Sequence, residues 1–234
     1  MNVHVGVVIP ARDEGALIAR CLESVHFAAL DALARSGTRV TVVVVADGCT
    51  DGTVAIARGF DGVVVHEVTV ANVGIARAVG CALAIGAGCS WLAHTDADSV
   101  VPPNWISEQQ QLAAVGHDVV IGTVRPDFDD LSPAHVRQWH DTHEPGRPNG
   151  HVHGANLGIR ASTYRAVGGF HPLAEHEDNE LVVRLMAAEA SIIATDAAEV
   201  MTSGRTQGRT AGGYAGHLRA IAEQLARESR ALAG

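Results

Sequence analysis

A pair of aspartates, Asp96 and Asp98, is the most informative chemical feature of the sequence. In an extended segment, residues i and i+2 project to the same side, so both carboxylates can face one ligand. Two carboxylates in this arrangement suit a hard divalent ion such as Mg²⁺ or Mn²⁺, which also takes phosphate oxygens as ligands. We therefore expect Asp96 and Asp98 to bind a metal ion, with Ala97 between them at the same phosphate site.

Two further acidic segments follow apolar runs. Val5–Ile9 leads through Pro10 into Ala11–Arg12–Asp13–Glu14, and Val40–Val45 leads into Ala46–Asp47–Gly48. In parallel α/β sheets, ligands gather at the carboxyl ends of the strands, so we expect these acids to share one edge with Asp96 and Asp98. Asp47 is well placed there to accept a hydrogen bond from a base or a ribose hydroxyl. Asp51, just before Gly52–Thr53, is better explained as a helix N-cap.

A fourth acidic cluster surrounds Glu177 and Asp178, at the start of a predicted helix. Acidic residues in a first helical turn favour the helix dipole. Four acids lie in this turn and its approach, which is more than capping needs; they are Glu175, Glu177, Asp178 and Glu180. Mutual repulsion raises a carboxylate pKa and suits a general base. Glu177 and Asp178 are therefore the candidate catalytic residues.

Histidines are concentrated in the second half of the chain, where seven of the thirteen fall between residues 135 and 176. His151 and His153 would share one face of a predicted strand, which leaves a zinc site open. No H-E-x-x-H or comparable helical spacing accompanies them, so roles in an acceptor pocket or at the surface are favoured. We expect His153 and Gly154 to line the site. Trp139 either stacks on an acceptor ring or fills a local core.

The segment 202–209 contains Arg205 and Arg209 in an otherwise acidic protein. Guanidinium groups match the oxygens of a diphosphate. A loop closing over such a ligand would exclude water and limit hydrolysis. The alternative is a solvated turn before the last helix.

The elements that must position these residues alternate between apolar runs and amphipathic segments. This order predicts an α/β fold with a Rossmann-like, mostly parallel sheet flanked by helices on both faces. The predicted strands are Val5–Ile9, Val40–Val45, Val63–Val65, Trp91–Ala93, Val119–Thr123, Val152–Ile159, Ile192–Ala194 and Glu199–Met201. The predicted helices are Gly15–Arg35, Val54–Arg58, Val73–Ala87, Trp105–Val115, Ala134–Thr142, Ser162–Val167, Glu177–Ala190 and Ala211–Leu232.

We predict a single domain over residues 1–234, with no internal repeat. Residues 1–100 would form a nucleotide-binding half and residues 101–210 an acceptor and catalytic half. The closing helix, within residues 211–234, either packs on the domain or forms a homodimer contact.

Composition narrows the class of ligand. The chain has 234 residues and a formal net charge of −9, which excludes a nucleic-acid footprint. An acidic protein that handles a phosphate ester must shield that charge with a cation or with arginines. The four cysteines show no C-x-x-C spacing and favour a reducing, cytoplasmic setting. No apolar run reaches the roughly 18 residues of a transmembrane segment, although a peripheral membrane contact stays open.

Four motifs carry a family resemblance. They occur in the order Val8–Glu14, Val44–Thr53, Gly74–Arg77 and Asp96–Asp98, and Gly154–Asn156 and Glu177–Asp178 extend them over roughly residues 3–205. In order and spacing the chain resembles the inverting family-two glycosyltransferases with the GT-A fold. The resemblance implies a metal-dependent hexosyltransferase that uses Mg²⁺ or Mn²⁺. Its donor would be a UDP- or GDP-linked sugar, and its acceptor an unidentified hydroxyl compound.

The resemblance also implies roles for individual residues. Asp178 would be the base that deprotonates the acceptor in a single displacement, with Glu177 beside it. Asp96 would contact the ribose or donor sugar and Asp98 the metal. The nucleotide and donor contacts would be Pro10, Ala11, Arg12, Asp13, Glu14, Asp47, Gly48, Arg77, Asp96, Ala97, Asp98, Arg205 and Arg209. Asp13 stands where the family often has Asn, which leaves the base open.

Two other functions stay as alternatives. A sugar-phosphate nucleotidyltransferase would show a Gly-rich, basic segment after the first strand, which residues 10–14 lack. A non-catalytic nucleotide-sugar-binding protein would become credible if Asp178 lay far from the metal-binding edge. A dehydrogenase is excluded because no G-x-G-x-x-G follows the first strand.

Overall fold

The structure is a computed structural model that describes residues 3–148, 150–208 and 213–232, with side chains described through residue 227. The described residues form eight strands in one sheet, namely β1 His4–Ala11, β2 Arg39–Asp47, β3 Val63–Val68, β4 Trp91–His94, β5 Ser99–Val100, β6 Val119–Pro126, β7 Leu157–Arg160 and β8 Ile192–Thr202. The helices are α1 Ile18–Ser36, α2 Thr53–Arg58, α3 Val73–Gly86, α4 Trp105–Ala114, α5 Pro133–Thr142, α6 Ala161–Ala166, α7 Glu177–Ala187 and α8 Tyr214–Leu232.

The sheet has the order β3-β2-β1-β4-β7-β6-β8-β5. The pairs β2–β3, β1–β2, β1–β4 and β6–β8 are parallel, whereas β4–β7, β6–β7 and β5–β8 are antiparallel. The prediction of a mostly parallel α/β sheet with flanking helices is confirmed. One continuous sheet joins the predicted nucleotide half to the predicted acceptor half, and its two central strands are β4 and β7.

β1 forms the centre of the core because its apolar side chains alternate between two helical layers. Val5, Val7 and Ile9 pack into the core on the side of α1, whereas Val8 packs into the core on the side of α3. A Cβ atom at Gly6 would lie 2.5 Å from the Cβ atom of Ala84 on α3. Only a residue without a side chain permits this close approach, which holds α3 against the sheet.

α1 follows its predicted amphipathic pattern but begins later than predicted. Its core face includes Ile18, Cys21 and Val25, and Gly37 in the left-handed region (φ 68°) ends it. The predicted start at Gly15 is wrong, because the N–H groups of Leu17 and Ile18 both donate to the carbonyl of Glu14 at 2.9 Å. That turn directs the chain away from the end of β1.

Other boundaries differ because tertiary contacts compete with the local pattern. The predicted strand Val152–Ile159 begins only at Leu157, since residues 153–156 form a turn in which Asn156 N donates to the His153 carbonyl at 2.9 Å. His151 and His153 therefore do not share the face of a strand. The two predicted strands near the C-terminus are a single strand, β8, with a register irregularity opposite residues 122–124 of β6. α7 ends at Ala187, before the predicted Ala190.

α8 packs against α5 and buries Leu218. This contact agrees with the first of the two roles considered for the closing helix, and a homodimer stays a prediction. In the part of the chain that is described, no helix combines the length and apolar character needed to span a membrane. Cys21, Cys49, Cys81 and Cys89 are all free thiols.

Candidate functional site

A cavity of about 1400 Å³ opens at the carboxyl ends of β1, β2 and β4 and extends between α5, α7 and α8. Pockets for a single small ligand usually occupy about 300–1,000 Å³. The cavity therefore has room for two substrates side by side. Its walls contain most of the residues that the sequence singles out.

The end of β1 contributes Pro10, Ala11, Arg12 and Glu14 to the wall. Glu14 is buried, and its two carboxylate oxygens accept from Arg205 Nη1 at 2.9 Å and Nη2 at 2.8 Å. This two-pronged ion pair joins the first strand to the loop after β8. It links residues 191 positions apart, and no local sequence pattern indicates it.

Asp13 is not part of the cavity wall. Its backbone has a positive φ of 48°, and its Oδ1 accepts from the Thr50 N–H at 2.7 Å. This hydrogen bond lowers the pKa of Asp13. The carboxylate holds the loop after β2, and the nucleoside contact at Asp13 stays a prediction. Asp51 also acts locally, since it accepts from the Thr53 N–H at 2.9 Å at the start of α2.

Asp47 ends β2 as a buried carboxylate that also lines the cavity. Its Oδ1 accepts from the N–H groups of Val70 and Ala71 at 2.8 and 2.9 Å, and its Oδ2 accepts from Asn72 N at 2.9 Å. These bonds hold the segment before α3. Most of the hydrogen-bonding capacity of the Asp47 carboxylate is therefore used within the protein. Gly48, with a φ of 62°, follows Asp47 and lies outside the wall, and its donor contact stays a prediction.

The end of β4 carries Asp96, Ala97 and Asp98, and all three line the cavity. Asp96 is more open, with 37% of its side chain exposed, whereas Asp98 has 13%. Burial and the charge of Asp96 raise the pKa of Asp98 to about 6. Asp98 Oδ1 accepts from Thr202 Oγ1 at 3.2 Å, and Oδ2 lies 2.9 Å from Arg205 Nη2.

This pair of carboxylates fits a divalent ion that also takes oxygens from its substrate. Mg²⁺ is commonly held by one or two carboxylates, with phosphates and water completing its shell. A raised pKa at Asp98 reflects repulsion and desolvation that a bound cation would relieve. Among the described residues, no group of three or more His, Cys, Asp or Glu side chains is arranged as a self-sufficient metal centre.

Arg77 lies at the centre of the charged residues, and only 3% of its side chain is exposed. Its Nη2 donates to Asp96 Oδ1 at 2.6 Å, and its Nε donates to Glu177 Oε1 at 2.9 Å. A Cβ atom at Gly154 would lie 2.3 Å from Arg77 Nη2, so glycine is needed there. Arg77 therefore positions both carboxylates, in addition to the donor contact that the resemblance implies.

The two acidic residues that open α7 both line the cavity but have different partners. Glu177 is buried and pairs with Arg77, whereas Asp178 Oδ2 accepts from the Gly154 N–H at 2.7 Å. Burial is the main cause that raises the pKa of Glu177, and Arg77 opposes it. Glu180 instead has a lowered pKa because it pairs with Arg184. The expected mutual repulsion is thus only a minor influence in this cluster.

Aromatic rings and histidines form the far end of the cavity. Trp139 stacks on His143 with ring centroids 4.1 Å apart and an interplanar angle of 9°. His153 meets Tyr214 edge-on at 5.6 Å, and burial lowers its pKa. Trp139, His153 and Gly154 all line the cavity, so the predicted acceptor residues are close to Asp178. Tyr214 on α8 belongs to the same wall, although no motif in the sequence indicates it.

The loop after β8 reaches back over the strand ends. Arg205 lines the cavity and pairs with both Glu14 and Asp98, so the alternative of a purely solvated turn does not describe it. Arg209, the second predicted diphosphate contact, lies outside the described residues. Of the predicted residues that the structure describes, the cavity brings together all except Asp13 and Gly48.

Comparison with known proteins agrees with this architecture. Staphylococcus aureus TarS 1-349, solved with UDP-GlcNAc, superposes with a TM-score of 0.66 at 16% identity, covering 92% of this chain and 62% of that one. The mannosyltransferase PcManGT from Pyrobaculum calidifontis, solved with GDP-Man and Mn²⁺, gives 0.67 at 17% identity, covering 89% and 59%. The chain thus spans about 60% of the length of these structures, and at such identities the likeness shows the fold alone.

Sequence comparison identifies the family. A search of curated proteins finds no match. The family model described as glycosyl transferase family 2 matches residues 6–169, which is well over half of the chain and includes the ends of β1, β2 and β4. The chain belongs to glycosyl transferase family 2.

Proposed function

We propose that the protein transfers a hexose from a nucleotide-diphosphate sugar to an acceptor hydroxyl by a single, inverting displacement. One observation carries this proposal: Asp178 lines the same cavity as Asp96 and Asp98. Arg77 links Asp96 to Glu177, the neighbour of Asp178. A candidate base and a candidate diphosphate site thus face one space large enough for two substrates.

The donor would lie along the strand ends. Pro10, Ala11 and Asp47 would surround the nucleoside, and Arg12 and Glu14 would line the path to the diphosphate. These walls carry several carboxylates, so a dianionic diphosphate needs positive charge close by. Arg205 is the described cation best placed to provide it, because its guanidinium group already lies 2.9 Å from Asp98.

A divalent ion, Mg²⁺ or Mn²⁺, would be held by Asp98, with Asp96 as its neighbour. When bound, it would neutralise charge on the departing nucleoside diphosphate. The fit rests on the chemistry of the donor set, because two carboxylates, one of them largely buried, line the same wall of the cavity. The remaining ligands would be phosphate oxygens and water.

Asp178 would act on the acceptor. Its carboxylate would take the proton of the acceptor hydroxyl while that oxygen forms a bond to the anomeric carbon. The bond between this carbon and the diphosphate oxygen breaks on the opposite face, so the configuration inverts. Gly154 N, 2.7 Å from Asp178 Oδ2, would keep the carboxylate directed at this position. Glu177 would support the base from its buried pair with Arg77.

The choice of donor is narrowed by the structural neighbours. TarS is solved with UDP and with UDP-GlcNAc, and PcManGT with GDP-Man and Mn²⁺. UDP- and GDP-linked hexoses are therefore the donors to test on this chain. A binding protein without activity is the less favoured alternative, since Asp178 lies beside the strand-end acids rather than away from them.

Thermal shift with UDP and GDP, each with and without Mn²⁺, tests the donor site. We expect one nucleotide to stabilise the protein only when the metal is present, and Asp98→Ala to abolish the effect. Asp61→Ala, which removes an exposed aspartate outside the cavity, is the matched control and should keep the effect. Absence of any shift at millimolar nucleotide would contradict the proposal.

The chemistry requires a second measurement. The protein is incubated with the UDP- or GDP-linked hexose selected by the thermal shift, and the released sugar or glycoside is followed by ¹H NMR. An anomeric configuration opposite to that of the donor is expected. Retained configuration would contradict the single displacement.

A further inference from the structure

The cavity is divided by charge. Among the described lining residues, the carboxylates and arginines lie on the strand ends and the segments that follow them, on α3, on the loop after β8, and on the approach to α7 and its first turn. The other end is built by α5, residues 150–155 and α8, and none of its described lining residues is Asp, Glu or Arg. The sequence contains no lysine at all. The end of the cavity opposite the predicted donor site therefore has no permanent charge among its described residues.

The uncharged end has rigid, flat walls. Trp139 stacks on His143 at 4.1 Å and is supported from its edge by Phe128 at 5.2 Å. On the other side, His153 and Tyr214 meet edge-to-face. Aromatic side chains with few rotatable bonds offer a large apolar surface at low entropic cost. Such walls bind another ring, either aromatic or the C–H face of a sugar.

Two polar atoms on α5 have no hydrogen-bond partner in the described structure. They are His135 Nε2 and Gln138 Oε1, and both side chains line the cavity. A polar group left unsatisfied in the interior is unfavourable, so such groups usually bind water or a ligand. Gln138 Oε1 is an acceptor and His135 Nε2 can donate or accept, which is the pairing a hydroxyl group requires. Both atoms are buried behind the cavity wall, so a rotation of each side chain is needed to bring it to a hydroxyl group in the cavity.

An anionic acceptor would meet no arginine among the described lining residues of this end. Burying an unpaired phosphate or carboxylate is unfavourable. Burial lowers the pKa of His135, His153 and His217, so these three side chains favour the neutral form at neutral pH. Asp178, at the boundary with the charged end, would repel an anion further. A neutral acceptor meets none of these costs.

We propose that the α5–α8 end of the cavity binds an uncharged, hydroxylated ring compound, of the neutral sugar or glycoside class, and excludes phosphorylated or carboxylated acceptors. This inference rests on the proposed function, since it names the acceptor of that reaction. It uses the ring wall around Trp139 for the flat face, and His135 and Gln138 for the hydroxyl groups.

A matched pair of probes tests the inference. Phenyl β-glucoside and phenyl β-glucuronide share both rings and differ by one carboxylate. Each is titrated into the full chain with Mn²⁺ and the nucleotide that binds, while tryptophan fluorescence is recorded. Trp91 and Trp105 are buried in the core, so Trp139 is the half-exposed reporter. We expect a saturable response to the glucoside and at least tenfold weaker binding of the glucuronide.

Variants separate binding from the fluorescence signal. Trp139→Ala should abolish the thermal stabilisation by the glucoside and keep the stabilisation by nucleotide. Gln138→Arg should reverse the preference in favour of the glucuronide, because it supplies the missing cation. Arg137→Ala, an exposed change on α5 outside the cavity wall, should alter neither.

The outcomes distinguish the two proposals. Equal binding of both probes, tighter binding of the glucuronide by the native protein, or no response to the glucoside would overturn the acceptor inference. If nucleotide stabilisation persists in that case, the proposed transferase function is untouched. If nucleotide stabilisation is absent while the glucoside is still preferred, the chemistry of this end stands and the transferase function fails.

Discussion

Removing the Arg77 guanidinium is the sharpest test of how the site is held together. Arg77→Met keeps the length and the apolar stem of the side chain and removes its charge. It leaves Glu177, whose side chain is 7% exposed, as an unpaired buried carboxylate. Asp96, at 37% exposed, can turn to water instead. The cost should therefore come almost entirely from Glu177.

The size of the effect follows from these exposures. Breaking a buried ion pair by removing one partner costs about 3–5 kcal/mol. For a protein of this size, 1 kcal/mol corresponds to about 2–4 °C, so the melting temperature should fall by about 6–20 °C. Urea unfolding at pH 8 gives the free energy directly. Because domains are stable by about 5–15 kcal/mol, the variant should still fold at low temperature.

The pH dependence identifies Glu177 as the cause. Burial raises the pKa of Glu177 and Arg77 opposes that rise, so the folded-state pKa should climb further in Arg77→Met. When the pKa of a carboxyl is higher in the folded than in the unfolded protein, its contribution to folding stability is fully present below the unfolded-state pKa. That contribution is lost as the pH rises through the folded-state pKa. The deficit of the variant should therefore be small near pH 5 and complete near pH 8.

A double variant provides the control. In Arg77→Met/Glu177→Gln the buried charge is gone, so much of the lost stability should return, with a coupling energy of about 2–3 kcal/mol. A deficit below about 1 kcal/mol at pH 8, a deficit independent of pH, or strictly additive effects of the two changes would refute this account of the site.

Three further changes test separate parts of the structure. Asp178→Asn should leave nucleotide stabilisation intact and lower kcat by about 10²–10⁴-fold, as measured by nucleotide release; an unchanged kcat would remove Asp178 as the base. Asp47→Ala should lower the free energy of unfolding, measured in urea, by about 2–4 kcal/mol, because three backbone N–H groups lose their acceptor. A loss under about 0.5 kcal/mol would show that Asp47 does not hold the segment before α3. His94 is buried with its pKa well below 6.5, so stability should fall as the pH drops below 6.5, by at most about 1.4 kcal/mol per pH unit. His94→Leu should show a shallower pH slope than the native chain, and equal slopes would assign the effect to other groups.

The sheet could be predicted where burial leaves a continuous apolar run. β1 and β2 are covered on both sides, so nearly every residue in their centres is apolar, which is the pattern of a parallel strand. β5 has two residues, and such a strand has no periodicity to detect. The predicted start of β7 is too early because Val152 and Ala155 are apolar for another reason: they line the cavity and do not belong to the sheet.

The meeting of the strand-end acids at one edge was predictable for a related reason. The ends of parallel strands meet at one edge, so acids that follow apolar runs must lie near one another. The ion pairs that organise those acids were not predictable. Arg77 and Glu177 are 100 positions apart, and Arg205 and Glu14 are 191 apart. Their contacts depend on loop paths, which no local pattern of residues encodes.

Glu177 and Asp178 show where sequence reasoning ends. Both occupy the first turn of α7, and either carboxylate is a chemically reasonable base. Successive residues on a helix are rotated by about 100°, so the two side chains meet different partners. Glu177 takes the buried position, because Arg77 on α3 provides its counter-charge at 2.9 Å. The different environments of these two adjacent acids are thus set by an arginine on another helix, held against the sheet where Gly6 and Gly80 lack side chains.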